Sequence, residues 1–137
     1  MLKREAILAE HDRHRGTTVA EQMAWLAVTN DFPGECEGDV PCYANRHDLL
    51  EGEYLRRYPG GTFVDTAARR ILDRAIYWQP LVADPRFFTT ADCSRLKEPL
   101  ASLRAAVFGA KSARDAATQT RALKELDAVG LVCRVFG

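Results

Sequence analysis

The chain contains the stretch Tyr54-Leu-Arg-Arg-Tyr-Pro-Gly-Gly-Thr-Phe-Val-Asp-Thr-Ala67, in which a turn separates two helical patterns. Pro59 ends the first helix because a proline ring disfavours the helical conformation at the preceding residue, and the two glycines that follow make the turn. After the turn, apolar residues recur with the period of an amphipathic helix at Val64, Ala67, Ala68, Ile71, Leu72, Ala75 and Ile76. The stretch therefore predicts a helix–turn–helix hairpin over residues 45–78.

Helical patterns also occupy most of the chain on both sides of this hairpin. We predict a first helix over residues 2–14, a second that begins at a Thr18–Glu21 capping box, and a third that begins at an Asn45 cap. A fourth helix contains the apolar stripe of Leu96, Leu100, Leu103 and Val107, and another runs from Ser112 to Val129. Pro99 should either kink the fourth of these or lie in its first turn. Phe87 and Phe88 should pack on the core, and residues 131–136 alternate like a short extended tail. The sequence predicts one all-α domain, a bundle of about five helices.

The four cysteines indicate disulfide bonds. Their number is even, none forms a Cys-x-x-Cys pair, and the histidines are not spaced to complete a zinc site with them. Cys36 and Cys42 flank a short loop that contains glycine and proline. Cys93 and Cys133 would meet if the last two helices form an antiparallel hairpin, because one precedes the hairpin and the other follows it. Buried free thiols are the alternative.

Disulfides would place the protein in the periplasm, in the cell envelope or outside the cell, because these compartments are oxidising. Residues 1–5 begin a charged helical pattern rather than an export signal. We therefore expect that an exported form has had its signal removed. If the cysteines are free, a cytoplasmic location is expected instead.

Charge and composition argue against several functional classes. The 19 basic and 19 acidic residues give no net charge and are interspersed, so we expect no nucleic-acid partner. No apolar run approaches the roughly 20 residues that cross a bilayer, so we expect no membrane span. No catalytic motif or phosphate-binding glycine loop is present, and we expect neither enzymatic activity nor a cofactor. His11 and His14 lack further metal ligands nearby, and we expect them on a solvated helix end, with His47 also at the surface.

The quoted stretch resembles the turn of a tetratricopeptide-type repeat, of the variety found in bacterial envelope proteins. The resemblance covers about residues 44–78 and includes an aromatic residue before Tyr58-Pro59, small turn residues, Phe63 and the alanines of the second helix. It implies an array of stacked helical hairpins and a role in binding another protein. Self-association is also possible.

Two groups of charged residues are candidates for partner binding. Asp31, Glu35, Glu37 and Asp39 lie in a loop over residues 31–43, and the arginines Arg56, Arg57 and Arg70 lie near the hairpin turn. The acidic loop lacks the spacing of a calcium-binding loop. The arginines fit a solvated helix face more simply than an anion site. The leading hypothesis is a non-catalytic interaction or scaffold module; the alternative is a small periplasmic inhibitor or immunity protein that uses the acidic loop.

Overall fold

The computed structural model describes residues 4–30, 35–112 and 114–135. These residues form helices and turns, without a strand, in six helices: α1 (Arg4–Arg13), α2 (Thr18–Thr29), α3 (continuous through Val40–His47, Asp48–Gly52 and Glu53–Arg57), α4 (Val64–Val82), α5 (Thr90–Gly109) and α6 (Ala116–Cys133). The all-α prediction is confirmed. The predicted count of about five helices is close to the six observed.

The helices form three consecutive hairpins: α1–α2, α3–α4 and α5–α6. In the middle hairpin the helices run antiparallel, with His47 near Trp78 and Tyr54 near Phe63. Helices α3 and α5 lie side by side. Asp39, at the start of α3, pairs with Arg95 near the start of α5, and Asp48, farther along α3, accepts from Ser102, farther along α5. Thus α3 lies parallel to α5, and α4 packs most extensively along α6.

The core lies between these hairpins and draws on α2 to α6. The predicted stripe of α4 faces it, except for Ile76, which is 44% exposed and whose place is taken by the buried Trp78. Ala67 and Ala75 are fully buried, and such small side chains allow neighbouring helices to approach closely. The largest fully buried side chains are those of Trp78, Tyr54, Leu55, Ile71, Leu72, Leu96, Leu100, Leu103 and Leu126.

Several helix starts differ from the predictions because other side chains cap them. Helix α2 is capped by Thr17, whose hydroxyl accepts from the N–H of Ala20, and not by a Thr18–Glu21 box. Helix α3 begins before the predicted Asn45 cap because the carboxylate of Asp39 accepts from the N–H of Cys42 at 3.2 Å. Asp115, rather than Ser112, caps α6.

Two further differences concern α5 and α6. A capping box of Thr89 and Asp92 starts α5 well before Pro99, so this proline lies inside the helix and the predicted alternative of a helix start near it is wrong. Helix α6 continues to Cys133, so the prediction of an extended tail is wrong for residues 131–133. Phe136, the end of the predicted tail, is outside the described residues.

Both predicted cysteine pairs are confirmed at disulfide distance. The Cα atoms of Cys36 and Cys42 are 5.5 Å apart, and those of Cys93 and Cys133 are 5.4 Å apart. The two pairs lie at the same end of the bundle, where α3 and α5 begin and α4 and α6 end. We call this the disulfide end. Cys36 to Cys42 is here called the cystine turn.

Candidate functional site

A cleft of about 580 Å³ opens at the disulfide end. The cystine turn, the last residues of α4, the turn that follows α4, and the first turn of α5 form its walls. Its lining residues are Glu37, Gly38, Asp39, Val40, Pro80, Leu81, Asp84, Phe87, Phe88 and Asp92. Apolar surface and carboxylates thus face the same space, and two acidic residues of the predicted loop, Glu37 and Asp39, belong to it.

The two adjacent phenylalanines of the cleft point in opposite directions, one toward the core and one toward solvent. Phe88 is 9% exposed and packs in the core, as predicted, whereas Phe87 is 76% exposed. Leu81 is also partly exposed. The turn after α4 produces this separation, since the N–H groups of both phenylalanines donate to the carbonyl of Asp84. An aromatic ring held in water beside a cleft is apolar surface that a partner can bury.

The cystine turn holds Glu37 at the cleft in an uncommon backbone conformation. Glu37 has φ of 52° and Gly38 has φ of 84°, so two consecutive residues are left-handed. For a residue with a Cβ atom this conformation costs about 1 kcal/mol. The bond from Cys36 to Cys42 and the Asp39 cap of α3 constrain the turn on both sides of it. Glu37 is exposed and makes no hydrogen bond or ion pair with any described residue.

The other three carboxylates of the cleft have partners. Asp39 and Asp92 share the guanidinium of Arg95, with the closest nitrogen–oxygen distances at 2.5 Å and 3.3 Å. Asp84 pairs with Arg86 through two bonds of 2.8 Å and 3.1 Å. The Arg86 guanidinium holds the pKa of Asp84 below its usual range, and the backbone N–H of Thr89 does the same for the pKa of Asp92. Both groups therefore stay ionised at neutral pH.

The remaining candidates for partner binding lie elsewhere or outside the described chain. Glu35 is exposed next to the cystine turn, and Asp31 is not among the described residues. Arg56 and Arg57 are at the opposite end of α3 from the cleft, and both bind Glu53. Arg70 is exposed on α4, with its guanidinium 5.7 Å from the centre of the Trp25 ring. Among the described residues, the acidic and the basic candidates are not brought together.

A buried polar cluster in the middle of α3 was not predicted. Asp48 and Glu51 lie in a π-helical turn and are only 8% and 1% exposed. Asp48 accepts from the hydroxyl of Ser102 at 2.9 Å and from Arg56 at 2.7 Å, while Glu51 bonds to the ring of His47. The His47 side chain is 12% exposed, so the prediction of a surface position for it is wrong. Ser102 bonds to a carboxylate and not to the histidine, so these contacts stabilise the turn and do not form a nucleophile–base pair.

His11 is also buried, against the prediction of a solvated helix end. It is 4% exposed, and its Nε2 atom is 2.7 Å from the hydroxyl oxygen of Tyr58. Its Nδ1 atom is 3.0 Å from Asp12, whereas His14 is near Glu10 instead. His11 therefore links the first hairpin to the middle one. Among the described residues no group of three or more histidines, cysteines or carboxylates is placed to hold a metal ion.

Contacts between distant parts of the sequence, such as Asp39 with Arg95 and His11 with Tyr58, assemble these sites together with local turns and caps. The Glu37–Gly38 pair inside a short cysteine loop is the one signal in the sequence that marks the cleft.

Comparison with protein families, with characterised proteins and with solved structures finds no match to this chain. None of the helices in the described part of the chain combines the length and apolar character that crossing a membrane requires.

Proposed function

We propose that this protein is a non-catalytic module that binds another protein in an oxidising compartment, the bacterial periplasm or cell envelope. The cleft at the disulfide end is the binding site. The observation that carries this proposal is the exposure of Phe87, 76% of whose surface is in contact with solvent at the rim of the cleft. Aromatic side chains are enriched at protein interfaces, where burial of one ring contributes a large share of the affinity.

The arrangement of hairpins supports the same role. Three hairpins follow one another, and α3 and α5 lie side by side in the same direction. Tetratricopeptide-type repeats stack helical hairpins and bind other proteins on the surfaces that the stacking creates. The resemblance of the Tyr58-Pro59-Gly60-Gly61 turn to that repeat fits this proposal.

The cysteine pairs support the proposed location. Two pairs at disulfide distance are compatible with an oxidising compartment outside the cytoplasm. Cys36 and Cys42 also enclose the residues 37–40 that line one wall of the cleft, so oxidation of this pair constrains the shape of the binding site.

A capture experiment with two matched variants tests the proposal. Phe87→Ala removes the exposed ring at the cleft, and Phe108→Ala removes a ring that is 69% exposed at the far end of α5. We expect the wild type and Phe108→Ala to capture the same protein from an envelope extract, and Phe87→Ala to bind it at least tenfold more weakly. Equal capture by both variants, or no capture by the wild type, contradicts the proposal.

An inhibitor or immunity protein is the second candidate function, and the cystine turn favours it. Glu37 stands on a short, covalently closed turn, and such a preorganised loop loses little entropy when it enters the site of a target enzyme. For this candidate, the captured protein should be a hydrolase or toxin that loses its activity on binding. A partner that stays fully active in the complex would favour the scaffold role.

A further inference from the structure

We infer that the cleft binds a segment of the partner protein in which a Lys or Arg side chain stands next to an apolar side chain. This inference rests on the protein-binding role proposed above and adds the chemistry of the partner. It follows from the charges around the cleft, from the contacts of Phe87 and from the apolar walls.

The cleft has more negative than positive charge. Among the described residues, four carboxylates line it, at Glu37, Asp39, Asp84 and Asp92, and no lysine or arginine does. Arg95 pairs with Asp39 and Asp92, and Arg86 pairs with Asp84, so the four carboxylates and two guanidinium groups of the described residues give this site a formal charge of −2. A cationic side chain is attracted by this excess, whereas the phosphates of a nucleic acid or a lipid surface are repelled.

The rim already holds a guanidinium between a carboxylate and an aromatic ring. Arg86 binds Asp84 through two nitrogen atoms, and its guanidinium carbon lies 5.3 Å from the centre of the Phe87 ring. This distance is within the range of a cation–π interaction. The side chain of Arg86 is 77% exposed, so an incoming segment can displace it or pack over it. Glu37 remains available for the cation of the partner.

The apolar part of the cleft requires an apolar side chain beside this cation. Val40, Leu81 and Phe88 contribute to its walls, and its volume of about 580 Å³ lies within the ~300–1,000 Å³ typical of ligand sites. Of the apolar residues at the cleft, Leu81 and Phe87 are exposed, by 37% and 76%, and a cation alone would leave them in water. A segment that carries both kinds of side chain covers the walls and meets the carboxylates at the same time.

Selection from a displayed library of random octapeptides tests the inference on the oxidised, full-length protein. We expect enrichment of peptides with Lys or Arg within two positions of a Leu, Ile, Met or Phe residue. A synthetic enriched peptide with a fluorescent label then reports affinity by anisotropy. Binding should weaken as salt rises from about 50 mM to about 500 mM, because added ions screen charges at the exposed rim.

Two charge-matched variants locate the binding site of the peptide. Glu37→Lys reverses the charge at the cleft, and Glu5→Lys reverses an exposed carboxylate on α1, which contributes no residue to the cleft. We expect Glu37→Lys to bind about tenfold more weakly, and Glu5→Lys to stay within about twofold of the wild type. Circular dichroism and a free-thiol count confirm that each variant is folded and oxidised.

The outcomes separate this inference from the proposed function. Enriched peptides without lysine or arginine that lose binding in Phe87→Ala overturn the inference and leave the protein-binding role intact. Equal binding by Glu37→Lys and wild type also overturns it. If the library yields no binder, the inference fails; the role itself then stands or falls with the envelope capture.

Discussion

A Cβ atom at Gly61 would lie 2.5 Å from the hydroxyl oxygen of Tyr54, so this position of the α3–α4 turn has space for glycine alone. The hydroxyl donates to Glu21 at 3.0 Å and accepts from the N–H of Phe63 at 2.9 Å. Burial raises the pKa of Tyr54, which keeps the hydroxyl protonated and able to donate. Since Glu21 also accepts from the N–H of Thr62, these contacts join the middle hairpin to α2.

We expect Gly61→Ala to lower the free energy of unfolding by about 2 kcal/mol, because the added methyl group displaces Tyr54 and Glu21 from their hydrogen bonds. Gly60→Ala is the matched control, since a Cβ atom there meets no atom within 4 Å. That variant should stay within about 0.5 kcal/mol of the wild type. Urea unfolding followed by circular dichroism measures both, and equal stabilities would show that the turn is not constrained by Tyr54.

The two cysteine pairs should differ in how much they stabilise the fold. They are separated by 40 and by 6 residues, and in the chain-entropy model closing these loops contributes about 4 and about 2 kcal/mol. We therefore expect the Cys93→Ser/Cys133→Ser variant to unfold at a lower urea concentration than Cys36→Ser/Cys42→Ser. The reverse order would mean that the small loop constrains more of the chain than its length indicates.

A free-thiol count tests the pairs directly. Protein recovered from an oxidising compartment should show no reactive thiol in denaturant without reductant, and should still show none after both cysteines of either pair are replaced by serine. Four free thiols in the unreduced wild type would contradict both pairs and with them the proposed location.

The salt bridge between Arg56 and Asp48 should raise the free energy of unfolding measurably because it neutralises a buried carboxylate. Arg56 donates to the side chain and to the backbone carbonyl of Asp48, each at 2.7 Å. Arg56→Ala leaves the carboxylate with the Ser102 hydroxyl, and we expect a loss of about 2 kcal/mol. Arg74→Ala, on an exposed position of α4, should change stability by less than about 0.5 kcal/mol. Equal effects would place the Asp48 carboxylate in contact with water.

Acid should destabilise the fold through the carboxylates that cap helices. Both the hydroxyl and the backbone N–H of Thr118 bind Asp115 and hold its pKa below the usual range. A carboxyl with a lower pKa in the folded state stabilises the protein above its unfolded pKa of about 4, and this contribution disappears as the pH falls through the folded pKa.

Asp115→Asn should therefore reduce the slope of unfolding free energy against pH between about pH 4 and about pH 2, while asparagine keeps the helix cap. Urea unfolding at a series of pH values measures the slope. An unchanged slope would show that Asp115 has the same pKa in the folded and unfolded states.

Local patterns in the sequence predicted the helical class, the approximate positions of the helices and the cysteine pairs. The α4 stripe from Val64 to Ala75 was predicted residue by residue, because helical period and burial follow directly from apolar spacing. The pairing of Cys93 with Cys133 followed from the antiparallel direction of two successive helices. The helix starts at Asp39 and Asp115 were missed because several residues near each start can cap a helix, and the sequence does not rank them.

The sequence by itself determined an all-helical chain with a central hairpin and indicated two cysteine pairs, since these depend on neighbours within one or two helices. Tertiary structure alone decided which polar groups are buried and which aromatic ring is exposed. Glu21 has the spacing of a helix-capping residue, yet it bonds to Tyr54, 33 positions away. Phe87 and Phe88 are chemically identical neighbours, and only the packing of the turn after α4 buries one and leaves the other at the cleft. Such outcomes depend on long-range contacts, which spacing along the chain does not encode.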